Sequence, residues 1–182
     1  VQTKLGCVAG CGKCCNNPDI DASPLEFLPW AYHLYLNGKA ETIGTIAGAG
    51  LIKGTGGSLT LSGVATTGAS IPIKTEFSGN LSGSFSLIKN GVDSLVLSGD
   101  DSTISTTPLV INPYTGAISL SNGVVKVSHL RALGTMAGNT TITSTGTLLI
   151  DSNNYTITEP FTISGVGVST NQGAIRNLGR IT

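Results

Sequence analysis

The chain has 182 residues, enough for one domain or for one elongated module with a short appendage. Only 11% of the residues are charged and the formal net charge is zero, so no basic excess favours a nucleic-acid partner. No apolar run approaches the ~18–20 residues that cross a bilayer, and the hydrophobic share is too high for an intrinsically disordered chain.

Residues 1–33 differ from the rest of the chain and are predicted to form a cysteine-rich N-terminal head. The sequence begins at Val1 without a leader, which indicates either a processed secreted chain or a piece of a longer one. An even, dense group of cysteines in an exported protein predicts two disulfides. The candidates are Cys7, Cys11, Cys14 and Cys15. Pairing the two adjacent cysteines would be strained, so we expect each of the other two to bond to one of them.

Two alternatives for these cysteines stay open. Four thiolates can bind zinc, and the spacing from Cys7 through Cys11 to Cys14 also occurs in enzymes that hold an iron–sulfur cluster. The rest of the chain does not resemble the large α/β barrel of those enzymes. We therefore predict neither a metal nor another cofactor.

Aromatic residues concentrate at the end of the head. Phe27, Trp30, Tyr32 and Tyr35 lie within nine positions of the sequence. Such a group is typical of a small core, and we expect it to plug the first coil of the following region. A platform on which sugars stack is the alternative.

From residue 34 onward the chain is predicted to be all-β. Short segments alternate one apolar residue with Thr, Ser or Lys, which buries one face of a strand and exposes the other. These segments are 34–38, 58–63, 94–99, 124–127, 140–143, 147–150 and 161–165. The 25 glycines, about twice the usual share, suit tight turns between such strands.

An internal repeat supports stacked units. Leu51-Ile52-Lys53 recurs at Leu87-Ile88-Lys89, and the segment 59–63 recurs at 95–99, both with an offset of 36 residues (87 − 51 and 95 − 59). Repetition on this scale indicates units that bury their apolar faces only against their neighbours. We expect each repeat to cover about two coils, with every strand in register on the coil before. Pro108 and Pro113 interrupt this pattern.

The order of these motifs resembles the autotransporter-associated β-strand repeat of large bacterial surface proteins. The resemblance covers residues 34–182 and lies in Phe77-Ser78-Gly79-Asn80-Leu81-Ser82-Gly83, in Ala132-Leu133-Gly134 and in Glu159-Pro160-Phe161-Thr162-Ile163-Ser164-Gly165. It implies a right-handed parallel β-helix, or solenoid, with export and a surface or adhesive role. The cysteine-rich head departs from the family pattern, and no C-terminal membrane barrel follows in this sequence.

Polar groups in the sequence do not assemble an enzyme site. Asp100 and Asp101 are adjacent carboxylates, but neighbouring residues of a strand point to opposite faces, and a polar turn is the better interpretation. Asn80, Asn139 and Asn154 stand in N-glycosylation acceptor patterns. No catalytic residue is predicted.

The C-terminal segment still alternates as a strand where the sequence stops. Its apolar residues are Ala174, Ile175, Leu178 and Ile181, and we expect them to form an edge onto which another copy adds its first coil. A head-to-tail contact of this kind produces an open filament. The predicted function is a secreted structural subunit of an extracellular filament or sheath. An adhesin segment, with surface glycans as partners, is the alternative, and a polysaccharide-degrading enzyme is the third hypothesis.

Overall fold

The computed structural model describes residues 33–63, 74–99, 104–106, 109–111, 113–151, 156–169 and 173–178, all within the unit Ala31–Thr182. The described residues form strands and turns without a helix, which confirms the all-β prediction. Of the predicted head, residues 1–32 lie outside the described part, so the boundary of the head and its cysteines stay predictions.

Three parallel sheets carry the fold. Sheet A consists of β1 (His33–Asn37), β3 (Leu51–Thr55) and β6 (Asn80–Gly83). Sheet B consists of β2 (Ala40–Ile43), β4 (Ser58–Leu61), β7 (Ser86–Lys89), β11 (Ile118–Leu120), β13 (Thr140–Ile142) and β15 (Phe161–Ile163). Sheet C consists of β5 (Lys74–Phe77), β8 (Ser94–Leu97), β12 (Val124–Val127), β14 (Thr147–Ile150) and β16 (Ile175–Asn177).

The chain visits these sheets in a constant order. It follows the order sheet A, sheet B, sheet C, although among the described residues the first pass (β1 and β2) has no strand in sheet C and the passes after β8 have none in sheet A. Within each sheet, every strand pairs in parallel with the strand of the preceding pass. We call one such pass a circuit. Where a later circuit has no strand in sheet A, Tyr114 continues the sheet through a parallel bridge to Gly83. Strands β9 (Ile104–Thr106) and β10 (Leu109–Ile111) form a separate antiparallel pair between two circuits. Pro108, which interrupts the repeat pattern, falls between these two strands in the sequence.

Register and burial follow the alternation in the sequence. In β4, Leu59 and Leu61 are buried, whereas Ser58 and Thr60 are half-buried. Leu59 pairs with Leu87 of the next circuit, so the same face of each strand turns inward. Because a slip of one residue would turn every leucine outward, this pattern specifies the register.

The 36-residue repeat does not mark equivalent positions. Leu51 lies in sheet A, but its counterpart Leu87 lies in sheet B; likewise Leu59 lies in sheet B and Leu95 in sheet C. Circuit length varies, since paired positions are 18 residues apart for His33 and Leu51 but 29 apart for Leu51 and Asn80. The expectation of two coils per repeat is therefore wrong.

Leucine, isoleucine and valine from all three sheets form one core. Fully buried members include Leu36 from sheet A, Leu59 and Ile142 from sheet B, and Leu95 and Leu148 from sheet C. Glycine allows successive circuits to approach at one corner. A Cβ on Gly99 would overlap the carbonyl oxygen of Gly79 in the circuit before it.

Candidate assembly edge and outer face

Two strands end the stack in the described part of the chain. β15 is the last strand of sheet B and β16 is the last strand of sheet C. Both are poorly covered compared with the strands before them: the side chains of β15 are half-buried or exposed, whereas β13 buries Thr140 and Ile142. A strand in this position offers its outer edge to a further strand. We call β15, β16, the segment 164–169 and Leu178 the terminal edge.

The terminal edge exposes large apolar side chains. Ile163 continues the core column that contains Leu120 and Ile142, both of which are 0% exposed, yet Ile163 itself is 52% exposed. Val166 and Val168 are 60% and 47% exposed. Ile163 has the position of a core residue without the cover of a following circuit.

Leu178 also departs from its column. The residue that follows each sheet C strand donates its backbone N–H to a carbonyl of the previous circuit, so these residues stack in one column. In the earlier circuits this residue is polar. The column consists of Ser78, Ser98, Ser128, Asp151 and Leu178. Only its last member is apolar, and it is 46% exposed.

The sequence prediction found part of this edge. Of its residues, Leu178 is exposed, Ile175 is half-buried, Ala174 is buried and Ile181 lies outside the described residues. Sequence reasoning missed Ile163, Val166 and Val168. The alternation around Ile163 was visible, but the number of circuits that follow a strand cannot be read from its own pattern.

The opposite end of sheet B has a different character. Glu41 of β2 pairs with Leu59 and therefore lies at the start of a core column, where it is exposed. A charge at an inward position of an edge strand discourages unspecific strand addition. Ile43 on the same strand is half-buried against the core.

The outer face of sheet B carries columns of small polar side chains. The central column runs through one residue of every strand and consists of Thr42, Thr60, Ile88, Ser119, Thr141 and Thr162. A second column follows the strand ends and consists of Ser62, Asn90, Ser121, Thr143 and Ser164. None of these residues is ionisable, and strands in a sheet lie about 4.8 Å apart. The face is therefore a neutral, regularly spaced array, which we call the hydroxyl face.

Hydrogen bonds hold several of these side chains in place. The Ser121 hydroxyl bonds to Asn90 Oδ1 at 3.0 Å. Asn139 Nδ2 donates to the hydroxyl oxygens of Thr141 and Thr162 at 3.5 Å each. Because Thr is also β-branched and stiff at χ1, the array loses little side-chain entropy on binding.

A buried ion pair lies at the corner between sheets B and C. Lys89 and Asp93 are 1% and 2% exposed, and Lys89 Nζ lies 2.7 Å from Asp93 Oδ1. The same ammonium donates to the carbonyl of Gly91. Lys89 occupies a core column between Leu61 and Leu120, so the ion pair lies within the core at this corner.

Among the described residues, Glu159 is a third buried residue with an acidic or basic side chain, 6% exposed, and it lies shortly before β15. The Thr140 hydroxyl of the previous circuit donates to Glu159 Oε1 at 2.6 Å, while Oε2 is buried without a hydrogen-bond partner. Burial raises the pKa of this carboxyl from 4.5 to about 7, and the Thr140 hydrogen bond offsets part of that rise.

Other predicted residues divide between described and undescribed parts of the chain. Asn80 is half-buried in β6 and Asn139 is half-buried before β13, whereas Asn154 is not described. The aromatic group Phe27, Trp30, Tyr32 and Tyr35 lies outside the residues whose side chains are described, as do Cys7, Cys11, Cys14 and Cys15. Their roles stay predictions.

The described ranges contain neither a cluster of metal-binding side chains nor a helix that could span a membrane. No group of three or more His, Cys, Asp or Glu side chains there is arranged to hold a metal ion. The same ranges contain no helix long and apolar enough to cross a membrane.

Comparisons with known proteins add no family to this description. No protein-family model matches the sequence, and no match was found among curated proteins or among solved structures. The resemblance to the autotransporter-associated repeat therefore stays a prediction from the order of its motifs.

Proposed function

We propose that this protein is a secreted, non-enzymatic structural subunit that assembles head-to-tail into an extracellular filament or sheath. In this proposal the parallel sheets form a right-handed β-helix, and the terminal edge of one copy receives the first circuit of the next. Consecutive strand, crossover and parallel strand units are right-handed in nearly all proteins, which supports the chosen hand.

The observation that carries the proposal is the exposed apolar terminal edge. Ile163 occupies a core column but is 52% exposed, and Leu178 is 46% exposed where earlier circuits have Ser or Asp. Burying a side chain of this size contributes about 1.5–3 kcal/mol. Strand addition to β15 would bury Ile163 against Ile43 of the next copy, because Ile43 begins the same column. The same register places Glu41 of the next copy beside Phe161, so desolvation of that carboxylate offsets part of the gain and disfavours other registers less well matched to the edge.

Charging the terminal edge is expected to prevent assembly. We expect the wild-type protein to form filaments visible by negative-stain microscopy, and the Ile163→Lys, Leu178→Lys double variant to raise the critical concentration at least about tenfold, which corresponds to about 1.4 kcal/mol. Thr162→Lys is the matched control, since Thr162 lies on the same strand but faces outward. Sedimentation velocity measures the fraction assembled.

Two results would contradict the filament. A wild-type protein that stays monomeric at high concentration with its cysteines oxidised has no assembling edge. A dimer that does not grow further would indicate that two terminal edges pair with each other, because such a symmetric contact closes.

The hydroxyl face supports a second candidate function, an adhesin segment that binds neutral surface glycans. A β-linked pyranose chain advances by close to one strand spacing per sugar, so a chain lying across the strands would bring one sugar to each strand, about 4.8 Å apart. Thr hydroxyls would supply hydrogen bonds, and Thr methyl groups with Ile88 would contact the apolar sides of the rings. Neutrality of the face matches a neutral ligand.

Chain length tests this second function. We expect retention by soluble neutral β-glucans in affinity electrophoresis to increase with oligosaccharide length up to about six sugars, one for each of the six strands of sheet B. Thr60→Lys with Thr141→Lys should abolish the retention, whereas Ser94→Lys on sheet C should leave it unchanged. Retention that is absent, independent of length or equal in the two variants would exclude the glycan role.

A further inference from the structure

The carboxyl of Glu159 connects the last two described circuits of sheet B. Thr140 is fully buried, with 0% exposure, and its hydroxyl donates a hydrogen bond to Glu159 Oε1 at 2.6 Å. Thr140 also donates its backbone N–H to the carbonyl of Pro160 at 3.0 Å. These two bonds lie directly before β15 and help to hold it on β13.

The second oxygen of this carboxyl is buried and lacks a hydrogen-bond partner. A neutral acid tolerates that position, but an ionised carboxylate is left without compensation for its lost hydration. The elements packed around it offer no opposite charge: β13, β15 and the turn 134–139, whose Gly138 approaches Oε1, contain no ionisable residue. Glu159 is also the only ionisable residue of the described segment 156–160.

Separating β15 from β13 would rehydrate the carboxylate at a small cost in free energy. Two of the three side chains of this strand are exposed and only Phe161 is half-buried against the core, so less apolar area is lost when β15 separates from β13 than for the inner strands. Ionisation therefore favours a locally opened last circuit. The rest of the stack, which lies on the far side of β13, keeps its core.

We propose that Glu159 is a proton switch that keeps the last circuit docked when protonated and releases it when ionised. The effect of this switch on filament assembly rests on the proposed function. An undocked β15 no longer presents an ordered terminal edge to another copy. Filament growth would then be favoured in mildly acidic surroundings and weakened in alkaline ones.

The direction of the pH dependence follows from the direction in which burial shifts the Glu159 pKa. The folded-state pKa of about 7 exceeds the ordinary value of 4.5, so the folded state binds the proton more tightly than the opened state. Docking is fully stabilised below about pH 4.5 and loses that stabilisation as the pH rises through 7. Between about pH 4.5 and pH 7 the opening equilibrium rises about tenfold for each pH unit, and above pH 7 it levels off because both states are ionised.

Hydrogen exchange tests the switch on dilute, monomeric protein. We expect the protection factors of residues 161–166, corrected for the intrinsic effect of pH on exchange, to fall by several-fold to about tenfold between pH 6 and pH 8. Glu159→Gln, which keeps a neutral hydrogen-bonding side chain, should stay protected at both values. Glu41→Gln removes an exposed carboxyl at the opposite end of sheet B and should behave as the wild type.

Equal protection of the wild type at both pH values, or the same loss in Glu159→Gln, overturns the switch. Because the wild-type comparison needs no variant, a poorly folding variant does not remove the test. Sedimentation at higher concentration addresses assembly separately. A fall in protection without any assembly at pH 6 would retain the switch and reject the filament, whereas assembly that is independent of pH with unchanged protection would do the reverse.

Discussion

Asp93→Ala is expected to lower the free energy of unfolding by about 3–5 kcal/mol, because it leaves the Lys89 ammonium buried without its partner. Both side chains are almost fully enclosed, and the nitrogen and oxygen lie 2.7 Å apart. The remaining acceptor, the carbonyl of Gly91, does not neutralise the charge. Urea denaturation measures the change.

A surface pair on sheet C supplies the control. Lys126 and Asp151 also form an ion pair, but their side chains are 25% and 42% exposed. Exposed pairs contribute about 0–1 kcal/mol, so Asp151→Ala should cost far less than Asp93→Ala. Equal costs for the two variants would show that the Lys89–Asp93 corner does not have the burial described here.

Replacing both members of the buried pair should recover much of the loss. Lys89 stands between Leu61 and Leu120 in a core column, so a leucine there extends an existing row of apolar side chains. We expect Lys89→Leu with Asp93→Ala to be at least about 2 kcal/mol more stable than Asp93→Ala alone, since no charge remains buried. A double variant as unstable as the single one would assign the cost to lost packing around Asp93.

Local alternation was enough to predict several of the strands, but not their partners. Ser58–Leu61 and Val124–Val127 appear as strands with the buried residues that their patterns indicate. Alternation reports which residues share a face of one strand. It does not report how many residues separate two stacked strands, because turns of different length connect equivalent strands without disturbing either pattern.

The burial of Lys89 is a feature that alternation alone does not predict. The similarity of Leu51-Ile52-Lys53 to Leu87-Ile88-Lys89 suggested equivalent lysines, yet Lys53 is half-buried in sheet A and Lys89 is buried in sheet B. Its inward direction depends on Asp93, four residues later, which compensates its charge. An ion pair between a strand and the following turn has no periodic signature in the sequence.

The terminal edge and Glu159 were hidden for a related reason. Exposure of Ile163 and burial of Glu159 depend on which circuits lie beside them, and that is a property of the stack. The N-glycosylation patterns and the apolar C-terminal segment were visible in the sequence. Only the strand register, however, shows that Ile163 follows Ile142 in a core column.

Tyr114→Ala is expected to cost about 3–5 kcal/mol, because it empties a core position where sheet A has no strand in that circuit. Tyr114 is 0% exposed; it bridges to Gly83, and its carbonyl accepts a hydrogen bond from the Thr135 N–H of the next circuit at 3.0 Å. Its ring lies 5.1 Å from the ring of Phe85 in a tilted contact. Gly134 leaves no room for a side chain beside this ring, since an added Cβ would lie 2.8 Å from Tyr114 Cδ1.

The hydroxyl and the ring of Tyr114 can be tested separately. The hydroxyl donates to the carbonyl of Phe85 at 2.9 Å and also contacts the carbonyl of Ala117 at 3.2 Å. Tyr114→Phe keeps the ring and removes this donor, so it should cost only about 1–2 kcal/mol in denaturation. If the alanine variant is no less stable than the phenylalanine variant, the ring does not fill the core, and the continuity of the stack across this circuit must come from the backbone contacts alone.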